Sequence, residues 1–481
     1  MTVPRVQLPL APLSDDDMDR IHDQAMRILS EVGTEVHDDD MLVRLQAAGQ
    51  SVDGTRVRWD PEFVMAQLTL APSTFTLIGR NSERSIEMGT GALAHSNVGG
   101  PPFAYDRVRG RRDGTLADHV ELIKMAQASA VLPMVQSGAV EAQDLEYTSR
   151  HLEMDYSCIR WSDRPFVIYG TSGPKARDAM TLAAIAAGGR EELLARPMVV
   201  GVVNPNSPLV WDGLMVDTLV ACAEFGQPVA ITPFLLAGAS APVTLAAGLS
   251  LLVAETLAGV AMAQLVRVGT PCIFGCFFNG VDMRSGGPSL GLPESVLTTL
   301  AGAQLARRYG LPLRGGGALC SGIALDAQAA VESTMSLWTT YLAGCDLVLH
   351  SAGWIEGGLT ASWEKFAIDV EVLRMMNRVS DGLAVDEEQL AFDTIAEVGP
   401  GGLFLAHEHT LARFRTDVFM SPLFRSQAYP NWVKLGSPEA DEVATGQWQA
   451  LLESYADPGI DDGVDAELRD YVDRRTRELD A

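Results

Sequence analysis

Apolar residues along this chain follow two alternating rhythms. Six short continuous apolar runs recur at VLPMVQSGA (131–139), RPFVIYG (164–170), RPMVVGVVN (196–204), QPVAITPFLL (227–236), TPCIFGCFF (270–278) and CDLVLHSAG (345–353). Several are introduced by a proline, which suits the first residue of a strand. Between them lie Ala/Leu-rich stretches with helical spacing, such as KARDAMTLAAIAAGG, LMVDTLVACAEFG and PESVLTTLAGAQLARRYG. LPLRGGG (311–317) is a weaker seventh strand. Strands that are apolar throughout and alternate with helices predict a parallel sheet with both faces covered. The expected fold is therefore α/β, a TIM (β/α)8 barrel with an N-terminal helical extension and a C-terminal helical tail; closure needs eight strands, so the ring is inferred.

The ends of the chain break this rhythm. Ser14 followed by DDDMDRIHDQAMRILSEVG predicts a first helix, with a polar cap, acidic residues in its first turn and Gly33 as its stop. DDMLVRLQAAGQ predicts a second, and TRVRWDPEFVMAQLTLAPSTFTLIGR reads strand, helix, strand. Residues 1–110 are expected to be an extension packed on the barrel. The barrel is expected over 111–420, its first helix capped by Asp113 or Thr115, and a C-terminal extension over 421–481, docked or used in self-association.

Composition narrows the partners. The formal charge of −26 repels nucleic acid and anionic membranes and is compatible with a cationic ligand. Six cysteines sit mostly in apolar runs without a C-x-x-C pair, which predicts reduced thiols and a cytoplasmic location. The N-terminus shows no long apolar signal core. The stretch ASAPVTLAAGLSLLVAETLAGVAMAQLV is apolar enough to raise a membrane span, but Glu255 interrupts it and a buried barrel helix is expected.

Chemistry is expected at the C-terminal ends of the strands, where barrel enzymes place it. His350, Trp354 and Glu356 lie just past the strand CDLVLH, and an imidazole, an indole and a carboxylate there suit a small cationic molecule. Read as strand ends, Tyr169, Asn204, Phe234, Phe278, Asn279, Asp282 and Arg284 converge on the same rim. Aromatic faces attract a quaternary ammonium, and Trp161, Trp354 and Trp363 are the first candidates for a cage. Gln328 and Glu332, four apart on one helix face, are further candidates, with Asp326 as that helix's cap. No metal is expected. Cys272 and Cys276 would stand roughly 13 Å apart on a strand. His407 and His409 would face the same way if they lay on a strand, and GGG at 315–317 lacks the residues of a phosphate loop.

Several stretches together resemble the trimethylamine methyltransferase family, in its members without pyrrolysine. They are IHDQAMRILSEVG, APVTLAAGLSLLVAETLAGVAMAQLVRVGTPCIFG, VDMRSG, PESVLTTLAGAQLARRYGLP, LDAQAAVES and LAGCDLVLHSAGWIEGGLTASWEKFAIDVE, in order over nearly the whole chain. The resemblance implies a TIM barrel that moves a methyl group from a quaternary amine, glycine betaine foremost, to the cobalt of a separate corrinoid protein. Cobalamin would be carried by that partner and not bound tightly here. In that frame His350 and Glu356 are the catalytic candidates, and His350 or Arg284 would clamp a betaine carboxylate. Other small methyl donors, and a betaine sensor without catalysis, are the alternatives. The homo-oligomer is expected from size alone.

Overall fold

In the computed structural model, which describes residues 11–480, eight parallel strands form a ring. They are β1 (Ala94–His95), β2 (Val135–Gln136), β3 (Phe166–Val167), β4 (Val199–Val203), β5 (Val229–Ile231), β6 (Cys272–Gly275), β7 (Leu313–Gly316) and β8 (Leu347–Leu349). Each neighbours its successor in the sheet, β8 pairs with β1, and the Met134 N–H donates to the His95 carbonyl at 3.2 Å, joining β2 to β1. Eight helices follow the strands: α1 (Leu116–Ala128), α2 (Arg150–Trp161), α3 (Gly173–Ala187), α4 (Gly213–Glu224), α5 (Leu245–Val266), α6 (Pro293–Arg308), α7 (Ala327–Ala343) and α8 (Trp363–Ser380). Thr115, not Asp113, caps α1, sharing a capping box with Asp118.

The weak run at 311–317 is a full barrel strand, and the missing eighth strand lies at Ala94–His95. The expected boundary at residue 110 therefore cuts the barrel: β1 sits inside the segment read as an extension. A two-residue strand carries no periodicity to betray it. The rest of that segment does two jobs. A hairpin of Phe75–Leu77 and Ile86–Met88 packs Leu77, Ile86 and Met88 against the inward residues Ala94, Met134, Val167, Val200, Ala230, Ile273 and Leu347, plugging the lower end of the ring. The helices Asp15–Arg27 and Pro61–Leu68 pack on α5. That cover explains why α5, the one described helix long and apolar enough to cross a membrane, is 83% buried over its apolar window. Glu255 within it is buried and accepts bonds from Ser207 Oγ (2.7 Å) and the Leu209 N–H (2.6 Å).

At the other end of the chain, Ala440–Glu453 packs on α8 and α1, and Asp462–Leu479 on α3 and α2. The signal-segment reading rests mostly on residues 1–10, which lie outside the described residues. All six cysteines are free and buried.

Candidate active site at the open end of the barrel

Side chains alternate along each strand, so every second residue faces the barrel axis. Small and aliphatic residues fill the lower layers. Above them the inward series continues with Gln136, Tyr169, Asn204, Thr232, Phe277 and Arg314, and these line a cavity of about 840 Å³ at the strands' C-terminal ends. Gly100, Thr171, Asn206 and Phe234 on its rim are exposed, so the mouth opens to solvent. Two small sheets raise its walls. Phe234–Ala237 pairs with Phe277–Val281, setting Phe234 beside Phe277 with ring centroids 5.0 Å apart. Trp354–Ile355 belongs to a four-stranded sheet with Thr360–Ser362, Phe103–Asp106 and Gly110–Asp113.

Of the residues expected from sequence, Tyr169, Asn204, Phe234, His350 and Trp354 line this cavity. His350 follows β8 with φ +61°, a left-handed backbone, and its Nδ1 accepts the Gly99 N–H at 3.2 Å. Burial, reinforced by the Arg314 charge, holds its imidazole well below the ordinary histidine range. It is neutral at physiological pH, and with Nδ1 accepting, Nε2 carries the proton. The Trp354 ring tilts against it at 4.5 Å. The Tyr169 hydroxyl donates to Glu141 Oε2 at 2.9 Å, and Asn204 Nδ2 to the Thr232 carbonyl at 2.6 Å. Burial raises the Glu141 carboxyl above its usual range.

The other candidates stand elsewhere. Glu356 is bonded to Arg111 (3.2 Å) and Thr360 (2.5 Å), outside the cavity. Trp161 ends α2, on the side where the strands begin, under Lys124 and Arg160. Trp363 is fully buried beneath Arg109 and Arg112. Phe278 is one residue out of phase: Phe277 points inward, and Phe278 packs outward toward Gly248 of α5. Asn279 accepts from Ser295 Oγ at 2.6 Å behind the wall. Asp282 and Arg284 pair with each other at 2.9 Å on an exposed turn, outside the cavity. Gln328 donates to Glu332, whose other oxygen takes the N–H groups of Ser321 and Gly322; the pair fastens the loop after β7. Asp326 caps α7. His407 and His409 begin the helix Glu408–Asp417, not a strand, and no group of potential metal ligands occurs among the described residues.

Sequence reasoning missed Gln136, Glu141, Phe277 and Arg314. Phase within the strands would have found Phe277. A single arginine inside an apolar strand, LPLRGGG, was the available signal for Arg314. The three glycines serve the wall and no phosphate: a Cβ on Gly317 would come within 2.5 Å of the Ser351 Cα, so only glycine lets β7 end against the turn after β8.

A parallel barrel with an open, aromatic-walled cavity at the C-terminal ends of its strands has the arrangement of a barrel enzyme that takes a small organic molecule. Among known proteins, the chain belongs to the trimethylamine methyltransferase (MTTB) family, whose model matches residues 2–480. It is 38% identical over 467 residues to a glycine betaine methyltransferase of Desulfitobacterium hafniense (strain Y51), covering 97% of each chain. It is 30% identical over 427 residues to a proline betaine:corrinoid methyltransferase of Eubacterium limosum, covering 86% of this chain and 87% of that one. The fold is shared with the monomethylamine methyltransferase of Methanosarcina barkeri at a TM-score of 0.56 and 12% identity, over 92% of this chain and 88% of the other.

Proposed function

We propose that this enzyme transfers a methyl group from a quaternary amine of the betaine class, glycine betaine first, to a corrinoid carried by a separate protein. The observation that carries the reading is the cavity: aromatic walls at Tyr169, Phe234, Phe277 and Trp354 beneath a mouth that is open to solvent. Aromatic faces attract a trimethylammonium head by roughly 0.5–2 kcal/mol per ring. The names of the two relatives point the same way.

The open rim fits a docking corrinoid protein, which would supply a reduced cobalt as the nucleophile. The chain's own work is then holding and aiming. The leaving nitrogen keeps the electron pair of the breaking C–N bond and departs as a neutral tertiary amine, so no proton donor is required. A neutral His350 suits such a site.

The test is direct. Purified protein, the cognate corrinoid protein, a reductant and candidate donors should give methyl-cobalamin with glycine betaine, read by its visible spectrum. A signal only from a methoxylated or sulfonium donor would replace the amine, and binding without cobalt methylation would make this a sensor.

A second copy of the chain is the proposed partner of the arm over 381–437. Its apolar side chains are uncovered, Leu383 by 91% and Leu405 by 74%. Leu423, buried within the arm, anchors it beside Ala367, Val370 and Arg374 of α8 and Ser129–Val131, where the chain enters β2, away from the mouth. A corrinoid protein docked at the mouth would not cover it. Free, buried thiols suit a reducing, cytoplasmic compartment.

A further inference from the structure

The cavity holds a cation that no described residue pairs with. Arg314 on β7 is 3% exposed, and its Nε and Nη1 have no hydrogen-bond partner. No carboxylate among the described residues pairs with it. Its neighbours are neutral: His350, and the thiols of Cys276 and Cys345, which burial pushes up. Its guanidinium lies 5.0 Å over the Phe277 ring, a contact that orients the group without neutralising it. Burial lowers its pKa to about 10, so it remains a cation at neutral pH.

An unpaired buried cation is costly, and a fold keeps one where a ligand completes it. The surroundings leave room for that ligand. Arg314 lines the 840 Å³ cavity together with Thr232, Phe277 and His350. The planar fork matches a carboxylate in a two-point contact, which a lysine would not reproduce.

The far wall carries a carboxylate. In a ring of eight, β3 is four strands from β7, and Tyr169 follows β3. Its hydroxyl donates to the Glu141 carboxylate, which Arg150 (3.4 Å) and Lys175 flank. Arg314 and Glu141 thus line opposite walls of the one cavity.

We propose that Arg314 binds the carboxylate of a zwitterionic methyl donor, with the quaternary ammonium lying across the ring toward Tyr169, Phe234 and Glu141. This rests on the quaternary-amine reading above and deepens it: the residue makes the enzyme selective for carboxylated donors over choline-like ones. Orientation follows as well, because anchoring the carboxylate low on the β7 wall fixes which end of the donor can reach the mouth.

The experiment compares glycine betaine with betaine amide, its isostere with an uncharged tail, and with choline. In wild-type protein, kcat/KM for methyl-cobalamin formation should be roughly 100-fold lower for betaine amide and choline than for glycine betaine. Arg314→Gln should raise the KM for glycine betaine by about the same factor while leaving the two uncharged-tail donors near their wild-type values, and Arg314→Lys should recover only part of the loss. Circular dichroism checks that each variant is folded. If Arg314→Gln does not fold, the wild-type comparison still decides: equal use of glycine betaine and betaine amide overturns the proposal. A folded Arg314→Gln with an unchanged KM overturns it too. Calorimetric titration with glycine betaine separates the two levels of the argument. Binding to wild type that is lost in Arg314→Gln supports the carboxylate site even if no cobalt is methylated; methylation of cobalt from glycine betaine that ignores Arg314 keeps the methyltransferase and removes the clamp.

Discussion

Replacing His350 by alanine tests whether the turn after β8 contributes chemistry or only packing. The imidazole accepts the Gly99 N–H through Nδ1 at 3.2 Å and stacks obliquely on Trp354 at 4.5 Å, while its other edge faces the cavity. Truncation leaves the Gly99 N–H without its partner, at a cost of about 1–3 kcal/mol, and loses an aromatic contact of about 0.5–1.5 kcal/mol. The fold of a 481-residue chain with a continuous barrel core should survive that. In the reaction, a neutral Nε2–H donated to a charged group of the bound substrate contributes about 1.5 kcal/mol or more, so methyl transfer should fall by roughly tenfold or more. The pH profile adds an independent check. Burial keeps His350 unprotonated far below its ordinary range, so wild-type kcat/KM should show no ionisation from this residue between about pH 6 and 8. Methyl-cobalamin formation across that range, with thermal melts alongside, measures both. Near-normal turnover in a folded His350→Ala would reduce the residue to a core histidine. An ionisation near pH 6.5 present in wild type and absent in the variant would refute the neutral assignment.

Three further outcomes follow from the surrounding structure. Glu255 has its carboxyl pushed up by burial to about 7, so the fold prefers it protonated; relative to Glu255→Gln, wild-type stability should fall by about 3 kcal/mol as pH rises from about 4.5 to 7 and then level off, read by urea unfolding at each pH. Lys365 and Asp369 form a buried pair at 2.5 Å, and Asp369 also takes the Gly353 N–H in the turn after β8; Lys365→Met should cost about 3–5 kcal/mol in denaturant unfolding, and a loss under 1 kcal/mol would show that the carboxyl simply takes up a proton. Trp161→Ala should lower the melting temperature yet leave methyl transfer within about twofold, since the ring lies at the opposite end of the barrel from the cavity; a loss above about tenfold in folded protein would return Trp161 to the site.

Most of the barrel was legible because a strand buried on both sides must be apolar throughout, and six such runs with helices between them leave few other folds. The exceptions have physical causes. Ala94–His95 was too short to show a period, and LPLRGGG looked weak because its glycines serve close approach of neighbouring chain in place of apolar side chains. His407 and His409 looked like a strand pair because two residues carry no evidence of helical phase. At the site, His350, Trp354, Tyr169, Asn204 and Phe234 could be placed near the mouth from their positions at strand ends. Which neighbour faced inward could not, and a one-residue slip is what separates Phe278 from Phe277.

The chain by itself determined the parallel barrel, the buried course of Leu245–Val266 and the end of the barrel where chemistry belongs, because these follow from local periodicity and from which residues avoid water. Tertiary structure alone decided the site's electrostatics. Arg284 and Arg314 are the same residue type in neighbouring βα units, yet one meets Asp282 in solvent while the other stands unpaired inside the ring. Charge acquires its meaning from what surrounds it, and those surroundings come from strands far apart in sequence that only the closed barrel brings together.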